Sequence, residues 1–496
     1  MRQLQSGSRS LVELERLVPL ESGLAGEARK NLAPEAALGK RLFEDDRFSS
    51  PRGDLLSSCS RCHMTDQDPR GARAYADFFD RSWQPFRSED PRRQGARNAP
   101  TLLDAGLMPR LHYDGEFASL EELIKKTLSG RAMGWLPGEQ QAAFAHIRRV
   151  VMLDPGSGAE GVTKEAGFTG GGSGLDQGGL HLRRNVQAAD YHPISTGPRP
   201  ATGPNPPDQS SYREQFREVY GADPATIGDA RLVDLAASAI ASFVRTLRTG
   251  RATPYDRFVE LNHLELPSGG PGTTQNAISL CDKMLKRVAS LESNNQLRLP
   301  PRFDLAALKG LEIFFRSDGP GSSGNCSVCH VPPYFTDFSF HNTGVSQNDY
   351  ERLHGPGSFA RFVIPSFGAA ARPIAALKEI PSASDPANVD LGYWNFVDVP
   401  GSPLRRAGET NDRFLERMVA TFKTPTLRDL AYSAPYMHSG AYPTLEDALA
   451  EIVSASEMAR AGKIRQADQE LPRINIERGD IPYLIAFLRT LNDELK

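Results

Sequence analysis

Two pentapeptides, Cys59-Ser60-Arg61-Cys62-His63 and Cys326-Ser327-Val328-Cys329-His330, constrain this 496-residue chain more than any other feature. In C-x-x-C-H the two thiols are placed to add across the vinyl groups of one haem, and the next histidine is then held under the iron as proximal ligand. A zinc site would want a second C-x-x-C or a paired histidine cluster, and a redox dithiol needs no following histidine. The spacing therefore predicts two covalently bound c-type haems. Cys59, Cys62, Cys326 and Cys329 are the expected attachment points, and His63 and His330 the proximal ligands. The fifth cysteine, Cys281, lies in Leu280-Cys281-Asp282-Lys283-Met284-Leu285 and reads as a buried structural thiol rather than a reactive one.

With 39% hydrophobic and 24% charged residues the chain has the make-up of a soluble globular protein, long enough for two or more domains. Its 58 basic and 61 acidic residues leave a net charge of -3, which gives no electrostatic footprint for nucleic acid. The longest apolar runs fall short of the ~18 residues a membrane-spanning helix needs. The start, Met1-Arg2-Gln3-Leu4-Gln5-Ser6, lacks the apolar core of a signal peptide. Covalent haem attachment takes place outside the bacterial cytoplasm, so the expected location is the periplasm, with a targeting segment removed or replaced.

The pattern 34–48 predicts a short amphipathic helix that stops before Ser50-Pro51-Arg52-Gly53 and delivers the first haem motif. A matching stretch opens after Asp304 as N-cap, runs from Leu305 to Phe314 and leads to Cys326. Downstream, Asn98-Ala99-Pro100-Thr101-Leu102-Leu103-Asp104 lies on Lys423-Thr424-Pro425-Thr426-Leu427-Arg428-Asp429 at a constant offset of 325. The register holds to Ser119 with Glu122 and Thr444 with Asp447, each reading as a capping box at a helix start. Such self-similarity predicts two haem domains related by internal duplication. Residues 155–210, rich in Gly, Pro and Ser, read as an insertion or lid. Leu232 to Leu247 recur at helical spacing, with Gly250 as the expected stop, and a last helix follows Asp480 as N-cap with Pro482 in its first turn. Strand-like alternation is scarce. The expected fold is all-α with long loops: a cytochrome c-like domain at 30–250, carrying the insertion, and a second at 251–496.

Arg97-Asn98-Ala99-Pro100-Thr101 followed by Tyr113-Asp114-Gly115, and Lys423-Thr424-Pro425-Thr426-Leu427-Arg428 followed by Ala434-Pro435-Tyr436-Met437-His438, resemble the bacterial dihaem cytochrome c peroxidase and MauG superfamily. Phe340-His341-Asn342-Thr343-Gly344-Val345 resembles it too. The likeness implies a peroxide-reacting N-terminal haem and a C-terminal haem that passes electrons or shares oxidising equivalents. Family members place a distal glutamate ten residues after a distal glutamine; here Glu121 stands at the first position and Leu111 at the second. This implies Glu121 as distal acid/base, with the adjacent His112 assisting. The alternative reading of Glu121 is a carboxylate stabilising a helix N-terminus, echoed by Glu446.

Where members that need reductive activation carry a blocking histidine, this chain has Asp90, so the first haem is expected to be open. The family position for the second haem's sixth ligand falls on Ile452; Met458 is the nearest sulphur, and Tyr436, Met437 and His438 are local alternatives. The likeness also implies a calcium ion held by Asn98 and the carbonyls of Ser433 and Pro435. The expected partners are hydrogen peroxide and either a small electron-donor protein (cytochrome c or cupredoxin) or a protein or organic substrate. A pure dihaem electron carrier and a dihaem oxygenase of the rubber-cleaving type are the alternatives.

Overall fold

The computed structural model describes residues 32–51, 58–63, 97–156, 210–250, 252–266 and 274–492. Asp90 and all but the edges of the 155–210 insertion lie outside these residues. The described chain is helix-rich with a single two-stranded antiparallel pair, in line with the expected class. In sequence order the first helices are α1 (Pro34–Glu44), α2 (Leu120–Leu128), α3 (Gln140–Leu153), α4 (Tyr212–Tyr220) and α5 (Asp229–Arg245). Then come α6 (Pro254–Leu261), α7 (Thr274–Ser293), α8 (Leu305–Phe315), α9 (Val345–His354) and α10 (Ser358–Arg361). The last are α11 (Asn411–Arg417), α12 (Leu445–Arg460) and α13 (Ile481–Arg489), with strands β1 (Phe340–His341) and β2 (Phe422–Lys423) paired Phe340 to Lys423.

Two close helix crossings organise these elements. Helix α1 buries Leu38, Gly39, Leu42 and Phe43 on α5, and α8 buries Leu308, Gly310, Leu311 and Phe314 on α13. A Cβ on Gly39 would overlap the carbonyl oxygen of Ala239, and one on Gly310 that of Tyr483. Glycine costs a helix interior about 1 kcal/mol in propensity. Here it lets two backbones touch, and α1 and α8 each lead towards a C-x-x-C-H turn.

Beyond the motifs, local geometry recurs at the offset of 325. Leu111 bridges Phe117, and Tyr436 bridges Tyr442. The turns between have left-handed His112 (φ 64) and Met437 (φ 67), and 3-10 turns Ala105–Leu107 and Leu430–Tyr432 follow left-handed Asp104 and Asp429. Asp104 N–H donates to Leu247 O at 2.9 Å and Asp429 N–H to Leu491 O at 3.3 Å, tying each turn to the end of α5 or α13.

The caps differ in detail from expectation. Thr444 and Asp447 form a full capping box, whereas Ser119 Oγ accepts the Glu122 N–H (3.2 Å) without the reciprocal bond. Helix α5 ends at Arg245 with Thr246 as C-cap, so it stops short of Gly250. Asp480 makes no side-chain cap: its carboxylate takes Lys309 Nζ and Ser322 Oγ, both at 2.7 Å, and so pins the start of α13 to α8 and the loop after it. One apolar core runs from Leu38 to Leu247 and a second from Tyr255 to Leu491; Cys281 sits in the second, its thiol pushed up to about 12 by burial and so inert. A third core, built around Leu391, Trp394 and Phe414, fills the region 340–420, for which the sequence pattern offers no periodic element.

If the crossing sets the fold, Gly310→Ala should destabilise by roughly 1–3 kcal/mol through overpacking. Gly479→Ala, where a Cβ meets nothing within 4 Å, should stay within about 0.5 kcal/mol of the parent. Thermal melts of the two variants decide it: equal midpoints would contradict the close approach.

Candidate functional site

The two motifs adopt the same turn. Cys62 and His63 N–H groups point back to Cys59 O at 3.2 and 2.8 Å, and those of Cys329 and His330 to Cys326 O at 3.3 and 2.8 Å. His330 Nδ1 lies 3.0 Å from the carbonyl of Phe335. A carbonyl can only accept, so Nδ1 carries the proton and Nε2 keeps the lone pair a metal would use. His63 packs with its ring 6.4 Å from that of Phe43 on α1.

One continuous cavity of about 1150 Å³ touches all six motif residues. That exceeds the ~300–1,000 Å³ of an ordinary small-molecule site. Helix α2 lends it Leu120, Leu123, Ile124 and Thr127; α12 lends it Leu445, Ala448, Leu449 and Ile452. Both sets are spaced i, i+3, i+4, i+7, one apolar face apiece. Paired thiols, an adjacent histidine and apolar walls are the donor set and surroundings a c-type haem needs, so the residues fit two such groups.

Where the motifs face each other, the halves are joined by buried charge. Arg97 donates to Asp390 Oδ2 and Oδ1 at 2.6 and 2.7 Å and also to Asp114. Lys423 Nζ donates to Arg110 O at 3.1 Å, and burial pushes this ammonium down to about 8 against the pull of Asp114. Asn98 Nδ2 donates to Pro435 O at 2.6 Å, while Asn98 Oδ1 is buried with no partner. Turning that amide over would set Oδ1 beside the Pro435 carbonyl, two hard oxygens of the kind calcium takes. Ser433 also lines the cavity.

The acid/base candidates separate. Glu121 is not on the cavity wall: its carboxylate takes Arg245 Nη1 and Nη2 at 2.6 and 3.0 Å, its side chain is 37% exposed, and Arg245 holds it below the usual range. It stands about 100° round α2 from Leu120, outside the face that lines the cavity. His112 does line the cavity, next to Glu116 and Lys378. Met458 packs with Ala455, Ile464 and Leu471 in a separate small cluster. Tyr436, Met437 and His438 line the cavity, as does Ile452. Tyr436 Oη donates to Leu430 O at 3.0 Å. His438 stacks 3.6 Å from Phe422, and burial pushes it down to about 4.

Some of the site's charged contacts had no signal in the sequence. His341 lies between Asp337 Oδ2 (2.8 Å) and Asp468 Oδ2 (2.7 Å), an arrangement that needs a proton on both ring nitrogens. Lys378 and Asp390 come from a stretch without periodicity and meet partners in the other half, so spacing could not announce them.

A family model described as Di-haem cytochrome c peroxidase matches residues 33–152. Cytochrome-c peroxidase IdrP2 of Denitromonas iodatirespirans is 26% identical over 479 residues, covering 94% of this chain and 84% of that protein. Methylamine utilization protein MauG of Methylophilus methylotrophus is 22% identical over 459 residues, covering 92% and 82%. The diheme peroxidase BthA from Burkholderia thailandensis E264 shares the fold at a TM-score of 0.50 with 19% identity, over 93% of this chain and 87% of that one. No described helix is long and apolar enough to cross a membrane. Both haem-binding turns open on one cavity, and the two relatives are matched over nearly the whole chain, so the chain is similar to the dihaem cytochrome c peroxidase and MauG superfamily of oxidoreductases.

Proposed function

We propose that this is a periplasmic enzyme that reacts with hydrogen peroxide at its N-terminal haem motif. The C-terminal motif then exchanges electrons or oxidising equivalents with a small donor protein or with a protein or organic substrate. The observation that carries the reading is the single cavity reaching Cys59, Cys62, His63, Cys326, Cys329 and His330. Two domains, 30–250 and 251–496, related by internal duplication, are supported by the paired glycine crossings and the repeated turns. The haems, when bound, would supply the redox chemistry.

The chain's own residues do the rest. The Phe335 carbonyl orients His330, and the apolar faces of α2 and α12 exclude water. The α2 face offers Leu120, Leu123, Ile124 and Thr127, none of them a strong iron ligand, which supports a first site open to peroxide. For the second haem, Tyr436 is engaged by Leu430 and His438 by Phe422 and Ser346, which favours Met437 among the three wall residues as the sixth ligand. A calcium ion held by Asn98 and the carbonyls of Ser433 and Pro435 would stitch the halves together beside the Arg97 network; its support is the unpartnered Asn98 Oδ1.

Mass spectrometry of the intact chain should give the polypeptide plus two haems, with haem stain surviving a denaturing gel. The bare polypeptide mass would overturn the reading. Calcium is tested separately: metal analysis should find about one ion per chain, and chelation should change both haem spectra together. Peroxide-reactive protein free of calcium would remove the ion from the scheme.

A further inference from the structure

The turn that recurs at the offset of 325 carries different chemistry in the two halves. Its backbone is the same, with His112 and Met437 both at positive φ (64 and 67) and closed by the Leu111–Phe117 and Tyr436–Tyr442 bridges. Its side chains are not: His112 and Glu116 stand where the second half has Met437 and Ala441. The backbone strain therefore belongs to the turn, and the ionisable pair is particular to the first half.

His112 Nδ1 lies 3.6 Å from Glu116 Oε2, and Lys378 Nζ, arriving from the other half, lies 3.4 Å from the same oxygen. All three line the cavity. The loop presenting them is held from several sides. Asp114 Oδ1 accepts the Glu116 N–H (3.3 Å), Phe117 O accepts the Leu111 N–H (2.9 Å), and Lys423 N–H donates to Tyr113 O (2.7 Å). Lys378 Nζ is further fixed 4.3 Å over the ring of Phe396. Burial works to raise the Glu116 carboxyl, but His112 and Lys378 outweigh it and hold the group below the usual range, so it is ionised at neutral pH. A carboxylate facing one imidazole nitrogen fixes the tautomer.

We propose that His112 and Glu116 form the proton-handling pair of the N-terminal site, with Lys378 as the positioning residue supplied by the other half. The proposal rests on the peroxide reading above. With Nδ1 turned to the carboxylate, Nε2 accepts the proton that hydrogen peroxide must lose and returns it to the departing oxygen, while Glu116 offsets the charge on the ring. Met437 and Ala441 can hold no proton, so the second site cannot do the same work.

Stopped-flow mixing of the diferric holoprotein with peroxide, and separately with hydrogen cyanide, reads the pair through two ligands that each shed a proton on binding. Glu116→Gln and His112→Asn are expected to slow both reactions by about 10²-fold or more and to flatten their pH dependence, with haem content unchanged. Asparagine tolerates the left-handed backbone at this position, so the turn survives the substitution. Lys378→Met should displace the pH profile and Lys378→Arg should restore it. Glu121→Gln should keep the parent rates and melt slightly earlier. Parent rates in Glu116→Gln and His112→Asn, with the loss falling on Glu121→Gln, would overturn the pair and leave the peroxide reading intact. A parent protein that takes up cyanide with the expected pH dependence yet ignores peroxide would overturn the function and leave the pair standing.

Discussion

Everything in this chain hangs on how closely two pairs of helices can approach. Side chains at an ordinary crossing hold helix axes ~8–10 Å apart. Glycine at 39 and 310 removes the Cβ at the point of contact, so α1 meets α5 and α8 meets α13 backbone to backbone. Each crossing then aims one C-x-x-C-H turn at the interior and ties the end of the second helix, through Leu247 and Leu491, to the turn that carries the opposite wall. The cavity is the space left between a fixed crossing and a fixed turn.

The repeated turns share a backbone and differ in their chemistry. The α2 and α12 faces are alike in spacing and apolarity, and the turns before them are alike in backbone. The difference lies in a few polar side chains: His112 and Glu116 on one copy, Met437 and Ala441 on the other. The halves are also interdependent. Lys378 from the second half steadies Glu116 in the first, and Arg97 from the first half engages Asp390 in the second. A buried pair of that kind adds little net stability but punishes any wrong arrangement, so it serves to fix one docking of the halves.

Much of this was legible in the sequence because it is periodic or local. Leu232, Val233, Leu235, Ala236, Ile240, Phe243 and Val244 recur at helical spacing and are buried in α5; Asp304 caps α8 through Ala307; the two motifs meet at one cavity. Other features were hidden for identifiable reasons. A glycine inside a helical pattern reads as a weakness until a second helix is seen against it. Glu121 was assigned by register along the chain, but one residue on an α-helix is ~100° of rotation, enough to carry it from the cavity face to Arg245. Met458 is the sulphur nearest the position that the likeness implies, and the sequence says nothing about which way α12 turns it. The core around Trp394 gathers loop residues with one or two side chains from each of several short helices, so no period marks it.

The claim on which the rest depends is that the N-terminal site is open to peroxide and handles protons itself. Electron paramagnetic resonance of the as-isolated diferric protein, before and after peroxide, tests it most directly. An open site predicts a high-spin ferric signal that disappears when peroxide is added, with no prior reduction. Two low-spin signals, with reaction only after one electron has been supplied, would contradict it and show that a residue of the chain caps the first iron.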